Sequence, residues 1–298
     1  MLKVVGGPSS TDLAMRISVE LGVPPVKTGF KRFPDGEFYF RFEEEVAGEE
    51  LLLVQSLYPP QDTHLVELLI IAHTAKDLAA KEVSAYVPYL AYSRQDERYL
   101  SGEALSAMLV AELLQSAGVK TLYTVDVHNQ NVLRMYRIPA VNFTAAGELA
   151  RYFAGKSLKN PMVIAPDDEV DAMERARVAA SAINADYNYF EKQRDRYTGK
   201  ITTVGKTMHV KGRDVVIIDD IISTGHTAAN AAQLLRKEGA NRVFIGVTHA
   251  LLRENALKLL QEAGVAEVVG TDSVPSPIAK VSTASVFVKA LKGGKEAS

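Results

Sequence analysis

Residues 215–239 read VVIIDDIISTGHTAANAAQLLRKEG, an apolar run closed by Asp219 and Asp220, then the short loop Ser223, Thr224, Gly225, His226 and Thr227, then a helix-like segment. A loop that ends a strand and starts a helix aims unpaired backbone N–H groups and the positive end of the helix dipole at one place, which suits a phosphate. A phosphate there is repelled by Asp219 and Asp220 unless a metal ion or vicinal sugar hydroxyls lie between them. Phosphate and polyol together point to a sugar phosphate. The same residues also fit a strand ending in solvated acids before an ordinary Ser/Thr helix cap. Successive strand residues face opposite ways, so geometry guarantees only one of the two aspartates a view of a ligand.

Other stretches carry groups of similar potential. FKRFPDGEFYFRF (30–42) sets Phe33, Asp35 and Glu37 around a Pro-Asp-Gly turn, with Gly36 at its tip. An aromatic ring and two acceptors could grip a purine, although a plain hairpin turn reads the same way. Arg94, Gln95 and Asp96 follow an apolar strand, where Arg94 suits a phosphate or simply solvent. TVDVHNQN brings Asp126 and His128 to a strand end, and APDDEVDAMERARVAA does so for Asp167 and Asp168. His128 is a candidate metal ligand or a capping residue, and carboxylates in a first helical turn are also ordinary dipole partners. YFEKQRDRYTGKIT packs Lys192, Arg194 and Arg196 between a tyrosine-rich strand and a Thr/Gly turn, as a solvated basic hairpin or a lid that carries cations to phosphates.

The elements that must position these groups are short Val-, Ile- and Leu-rich runs at 51–54, 83–90, 121–127, 162–166, 215–220 and 242–249, alternating with helix-like segments. Runs so apolar suit strands covered on both faces, and the expected class is α/β with mostly parallel sheets. At 298 residues the chain fits two domains, 1–143 and 144–298. Laying Gln55 on Asp219 aligns LLLVQSLYPPQDTHLVELL with VVIIDDIISTGHTAANAAQLL and brings Thr63 onto Thr227. Each half then offers strand, loop, helix, strand, and the first copy has Gln55, Ser56 and PPQD where the second has the acidic pair and STGH. One copy is chemically equipped and the other degenerate.

Lys and Arg number 34 against 36 Asp and Glu, so no broad positive field draws the chain to nucleic acid or a membrane surface. The absence of cysteine excludes disulfides, thiolate metal sites and cysteine nucleophiles. The first residues lack the order of a secretory signal and no apolar run reaches the length of a membrane span, so a soluble, cytoplasmic protein is expected.

VVIIDDIISTGHT resembles the phosphoribosyl-diphosphate-binding signature of type I phosphoribosyltransferase folds. Together with FPDGE, SRQD, VDVHNQN and EKQR, in that order and spacing, it makes nearly the whole chain similar to the ribose-phosphate diphosphokinase family, and the length to that of archaeal members. The resemblance implies two tandem phosphoribosyltransferase-like domains and transfer of diphosphate from ATP to ribose 5-phosphate. It implies that Phe33, Asp35, Gly36 and Glu37 hold adenine across a subunit interface of a homo-oligomer, and that Arg94, Gln95, Asp96 and His128 complete the ATP pocket. It further implies that His128 and Asp167 ligate Mg²⁺, that Lys192 and Arg194 form a catalytic lid, and that Arg194, Asp219, Asp220 and Ser223 to Thr227 take ribose 5-phosphate. Three departures from the family pattern stand out: DDEV where a glycine pair commonly follows the metal-binding aspartate, His226 where a second loop glycine is frequent, and Ser223 where aspartate is common in bacterial members. A phosphoribosyltransferase that consumes the diphosphate and a non-catalytic synthetase-like subunit are the competing expectations.

Overall fold

The computed structural model describes residues 1–194, 201–204 and 208–292, apart from the side chains of 192–194 and 201–204. The chain forms two units, one of Met1–Phe143 with the segment from Thr283 onward, the other of Thr144–Ser282. The first runs β1 (Leu2–Gly6), α1 (Thr11–Leu21), the hairpin β2 (Thr28–Arg32) and β3 (Phe38–Phe42), β4 (Glu50–Val54), α2 (Gln61–Asp77), β5 (Glu82–Tyr86), α3 (Ser106–Ala117), β6 (Thr121–Val125) and β7 (Ala140–Phe143). The second runs α4 (Ala146–Ala154), β8 (Met162–Ala165), α5 (Val170–Ala182), β9 (Asp186–Tyr189), the hairpin β10 (Glu191–Arg194) and β11 (Ile201–Val204), β12 (Asp214–Ile222), α6 (His226–Lys237), β13 (Arg242–Ala250), α7 (Ala256–Glu262), β14 (Glu267–Thr271) and β15 (Ala279–Val281). The last helix, α8 (Thr283–Lys292), returns to the first unit.

Each unit is built on one parallel sheet, ordered β1-β4-β5-β6-β7 in the first and β15-β14-β13-β12-β8-β9 in the second. Strand alternation divides the first sheet cleanly: Leu51 and Leu53 point into the core shared with α2 and α3, while Leu52 and Val54 point into the core shared with α1 and α8. The apolar runs are therefore buried on both sides, as their composition requires. The run expected over 83–90 is strand only to Tyr86, because Pro88 cannot donate to a ladder. No helix among the described residues is long and apolar enough to cross a membrane.

The duplication extends beyond the stretch legible in sequence. β4-α2-β5 repeats as β12-α6-β13, with α2 of 17 residues and α6 of 12. In both units an antiparallel hairpin precedes the strand that enters this repeat, β2–β3 before β4 and β10–β11 before β12. The turn with Phe33 and the strand with Lys192 thus occupy equivalent slots.

The sequence reading placed 283–298 with the second half, whereas the helix α8 packs on α1 in the first unit, the place that α4 takes against α5 in the second. The apolar stripe of α8 finds its counterpart there. Phe287, fully buried, stacks on Tyr86 with ring centroids 4.3 Å apart and meets Tyr123 and Phe143 edge-on at 5.4 and 5.9 Å. Deleting that ring removes buried area and leaves a cavity. Phe287→Ala should cost about 3–5 kcal/mol and lower the Tm of the protein by roughly 10 °C, measured by calorimetry.

Candidate active site

Because every strand of the two sheets is parallel, the carboxyl ends of each sheet share one edge, and the chemically equipped loops of each unit collect there. In the second unit β8 ends before Asp167 and β12 carries Asp219 and Asp220, with the register Ile217 to Ile164 setting the two strand ends side by side. Asp220 is buried and forms an ion pair with Arg175 of α5, Nη2 to Oδ1 at 3.2 Å. Asp219 is half-buried, and its Oδ1 accepts the backbone N–H of Asp220 at 2.9 Å. Of the two aspartates, Asp219 is the more open and Asp220 is tied down, in keeping with the strand alternation. Burial, and then the Asp220 carboxylate, push the Asp219 carboxyl well above the usual carboxylate range, and Asp167 adds to the push.

The loop that follows is shaped for close approach. Gly225 caps α6 with φ +82°, a conformation glycine adopts without strain, although a Cβ there would have ordinary room, 3.5 Å from Ala256. His226 is the first helical residue, so its bulk is compatible with the backbone it holds, and its Nδ1 lies 3.0 Å from Thr224 Oγ1. Thr224, His226 and Thr227 are exposed and Ser223 is half-buried. The first turn of α6 carries no acid, and its N–H groups lack intrahelical partners, which leaves it receptive to an anion. Asp167 is half-buried and accepts the Glu169 N–H at 3.1 Å, while Asp168 is exposed.

In the first unit the corresponding position is closed by its own side chains. Gln55 is fully buried, its Oε1 accepting Ser9 N–H at 3.0 Å and its Nε2 donating to Glu67 Oε2 at 3.0 Å and to the His64 carbonyl at 3.3 Å. Ser56 is likewise buried, its N–H donating to Ser10 Oγ at 2.8 Å.

The Phe33–Glu37 turn stands out from this unit. Phe33 N–H donates to the Glu37 carbonyl and Gly36 N–H to the Phe33 carbonyl, both at 2.9 Å, with Gly36 at φ +99°. Asp35 and Glu37 are exposed, Phe33 keeps 41% of its surface, and Tyr39 lies edge-on to it at 5.9 Å. Beneath the turn, an open cavity of about 480 Å³ is bordered by Arg32, Gly36, Glu37, Asp62, Val66 and Glu67. Asp62 accepts the Tyr92 hydroxyl, which links this cavity to the segment leading into Arg94.

Arg94 is exposed, and Gln95 and Asp96 are half-buried. Asp96 Oδ2 accepts Asn129 Nδ2 at 2.6 Å, which joins the SRQD segment to the segment holding half-buried His128. Asp126 is buried, at φ +43°, with its N–H on the Phe143 carbonyl at 2.8 Å. Lys192 and Arg194 fall on β10, but their side chains, and all of Arg196, lie outside the described residues. Arg175 is the site residue that motif reading missed. Its signal was present: an arginine falls on the buried Ala172, Ala176 and Ala179 stripe of α5, where a charge needs a partner.

Two parallel α/β units, one with an acidic strand end and an anion-receptive helix start, the other with that position filled, define a tandem phosphoribosyltransferase-like protein. Residues 2–118 match the family model of the N-terminal domain of ribose phosphate pyrophosphokinase, and residues 165–291 match the phosphoribosyl synthetase-associated domain. The chain is 39% identical over 284 residues to a ribose-phosphate pyrophosphokinase of Sulfurisphaera tokodaii, covering 95% of this chain and 97% of that protein. To the Methanosarcina mazei protein of that name it is 36% identical, covering 98% and 96%. The crystal structure of phosphoribosylpyrophosphate synthetase from Mycobacterium smegmatis superposes with a TM-score of 0.85 at 30% identity, covering 98% of each chain. The chain belongs to the ribose-phosphate pyrophosphokinase family.

The raised Asp219 carboxyl has a thermodynamic consequence. The folded protein keeps this proton to a higher pH than the unfolded chain, whose aspartate titrates near 3.8, so stability from this group falls as pH rises from there through the raised value. Asp219→Asn keeps an acceptor for the Asp220 N–H and removes the charge. Differential scanning fluorimetry of the ligand-free variant near neutral pH should show a higher Tm, by a few degrees for each ~1 kcal/mol, and a flatter decline toward alkaline pH.

Proposed function

We propose that this chain transfers the β,γ-diphosphoryl group of ATP to the anomeric hydroxyl of ribose 5-phosphate, giving 5-phosphoribosyl 1-diphosphate and AMP. The observation that carries the reading is the strand end of the second unit, where an open Asp219, an arginine-paired Asp220 and a glycine-capped helix start lie in sequence. Ribose hydroxyls hydrogen-bond to the acidic pair, Asp219 being the more open of the two, and the 5-phosphate takes the N–H groups and hydroxyls of Ser223 to Thr227. A sugar held at both ends presents its anomeric oxygen in one orientation, and such positioning accounts for much of the rate in this class of reaction.

On the nucleotide side, Phe33 offers a ring face to adenine, and Asp35 and Glu37 offer acceptors to its exocyclic amine, with Gly36 letting the backbone turn tightly. Arg94, Gln95, Asp96 and His128 complete the ATP pocket, and a neighbouring copy in a homo-oligomer supplies the adenine turn. The anomeric hydroxyl releases its proton to solvent as its oxygen bonds to the β-phosphorus, the bond from that phosphorus to the α/β bridging oxygen breaks, and AMP departs with the electron pair. Lys192 and Arg194 bring positive charge to that oxygen, and Arg194 also reaches the ribose 5-phosphate.

Toward Mg²⁺, His128 would offer a nitrogen donor in the first unit and Asp167 an oxygen donor in the second. Among the described residues no group of three or more His, Asp or Glu side chains could hold a metal ion. When bound, Mg²⁺ neutralises phosphate charge. A cytoplasmic setting, where ATP and pentose phosphate occur together, belongs to the same reading.

AMP formation from ATP tests the assignment, since it should depend on both ribose 5-phosphate and Mg²⁺. A transferase that consumes the diphosphate would form none. Lys192→Ala should lower turnover by about two orders of magnitude or more with little change in ATP affinity, as when one preorganised electrostatic group is deleted; normal turnover in this variant would remove the hairpin from the mechanism.

A further inference from the structure

Glu67 lies on the buried face of α2 and is 3% exposed. A carboxylate there demands partners, and both of its oxygens have them. Oε2 accepts Gln55 Nε2 at 3.0 Å, and Oε1 accepts Arg32 Nη2. The other arm of the same guanidinium, Nη1, donates at 2.9 Å to the carbonyl of Gly36, the positive-φ residue of the Phe33–Glu37 turn. Arg32 also lies over the Phe38 ring at 5.7 Å. A continuous chain therefore runs from Gln55, which stands where the second copy has Asp219, through Glu67 and Arg32 to the tip of an otherwise exposed turn.

Stability alone does not call for this arrangement, since a carboxylate buried on a helix face, even one paired with a half-exposed arginine, is commonly matched or bettered by an apolar residue of the same volume. What an apolar replacement cannot do is fix a two-armed guanidinium between a helix and one carbonyl of a turn. We propose that Glu67 is a positioning residue, held by Gln55, which uses Arg32 as a strut to keep the Phe33–Glu37 turn in the shape that receives the nucleotide. The position that holds the acidic pair in one copy of the repeat has become, in the other, the anchor of the nucleotide turn. This rests on the assignment of that turn to ATP.

Initial rates of AMP formation on the full-length protein test it, with Glu67→Gln, Arg32→Met and their double variant compared against Phe33→Ala. The expected result is a KM for ATP raised about tenfold in each single variant, with kcat and the KM for ribose 5-phosphate within about twofold of the parent. The double variant should be no worse than either single one, because the two side chains act as a unit. An unchanged KM for ATP in Glu67→Gln, or a parallel loss of kcat, both KM values and Tm, overturns the strut. If Phe33→Ala raises the KM for ATP while Glu67→Gln does not, the strut fails and the nucleotide turn stands; if Phe33→Ala leaves it unchanged, both fail.

Discussion

Three carboxylates at neighbouring strand ends repel one another, and the second unit is organised around that repulsion. Asp220 is relieved by Arg175, a cation delivered from the buried face of α5. Asp219 is not relieved to the same degree, and its carboxyl is pushed upward by burial and by Asp220. The Asp219 carboxyl therefore keeps its proton to a higher pH than a solvated carboxylate does. The adjoining helix start works in the opposite sense, offering positive potential to an anion one loop away.

The first unit shows what the same framework becomes without that electrostatic tension. Gln55 and Ser56 stand at the equivalent strand end, and both are buried with their polar atoms engaged inside the unit. An amide can be enclosed where a carboxylate pair cannot, because it carries no net charge to desolvate. The loop that follows begins a helix capped by Pro60 in place of glycine, and no side chain there caps the helix. Closing one copy leaves the acidic strand end and the glycine-capped helix start to the second unit.

Much of this was legible in the residues. Strands rich in Val, Ile and Leu announced parallel sheets because only burial on both faces tolerates such runs. His226 raised a conflict in sequence that the backbone resolves, since the left-handed position belongs to Gly225 one residue earlier. Three features stayed hidden for a common reason, that each depends on contacts between residues far apart in the chain. Arg175 meets Asp220 across 45 positions, Arg32 meets Glu67 across 35, and the Tyr86 hydroxyl meets the Thr283 carbonyl across 197. Periodicity reports which face of a helix is apolar but does not name the face that it covers.

The return of α8 completes the correspondence between the two units. In the second unit α4, from the connection that enters it, packs on α5, and in the first α8 packs on α1. There Phe287 joins the aromatic cluster of Tyr86, Tyr123 and Phe143. The consequence for folding is topological. The core on that face of the first sheet joins residues from the first strand to the last helix, so it is complete only after the second unit's sequence has been made. Contacts of such long sequence separation form late, since the loop they close must be ordered first. The exposed sheet face awaiting α8 is apolar through Val4, Leu52, Val54 and Tyr86, and its burial by Phe287 and Val288 ties the stability of the first unit to a segment that follows the whole of the second in sequence.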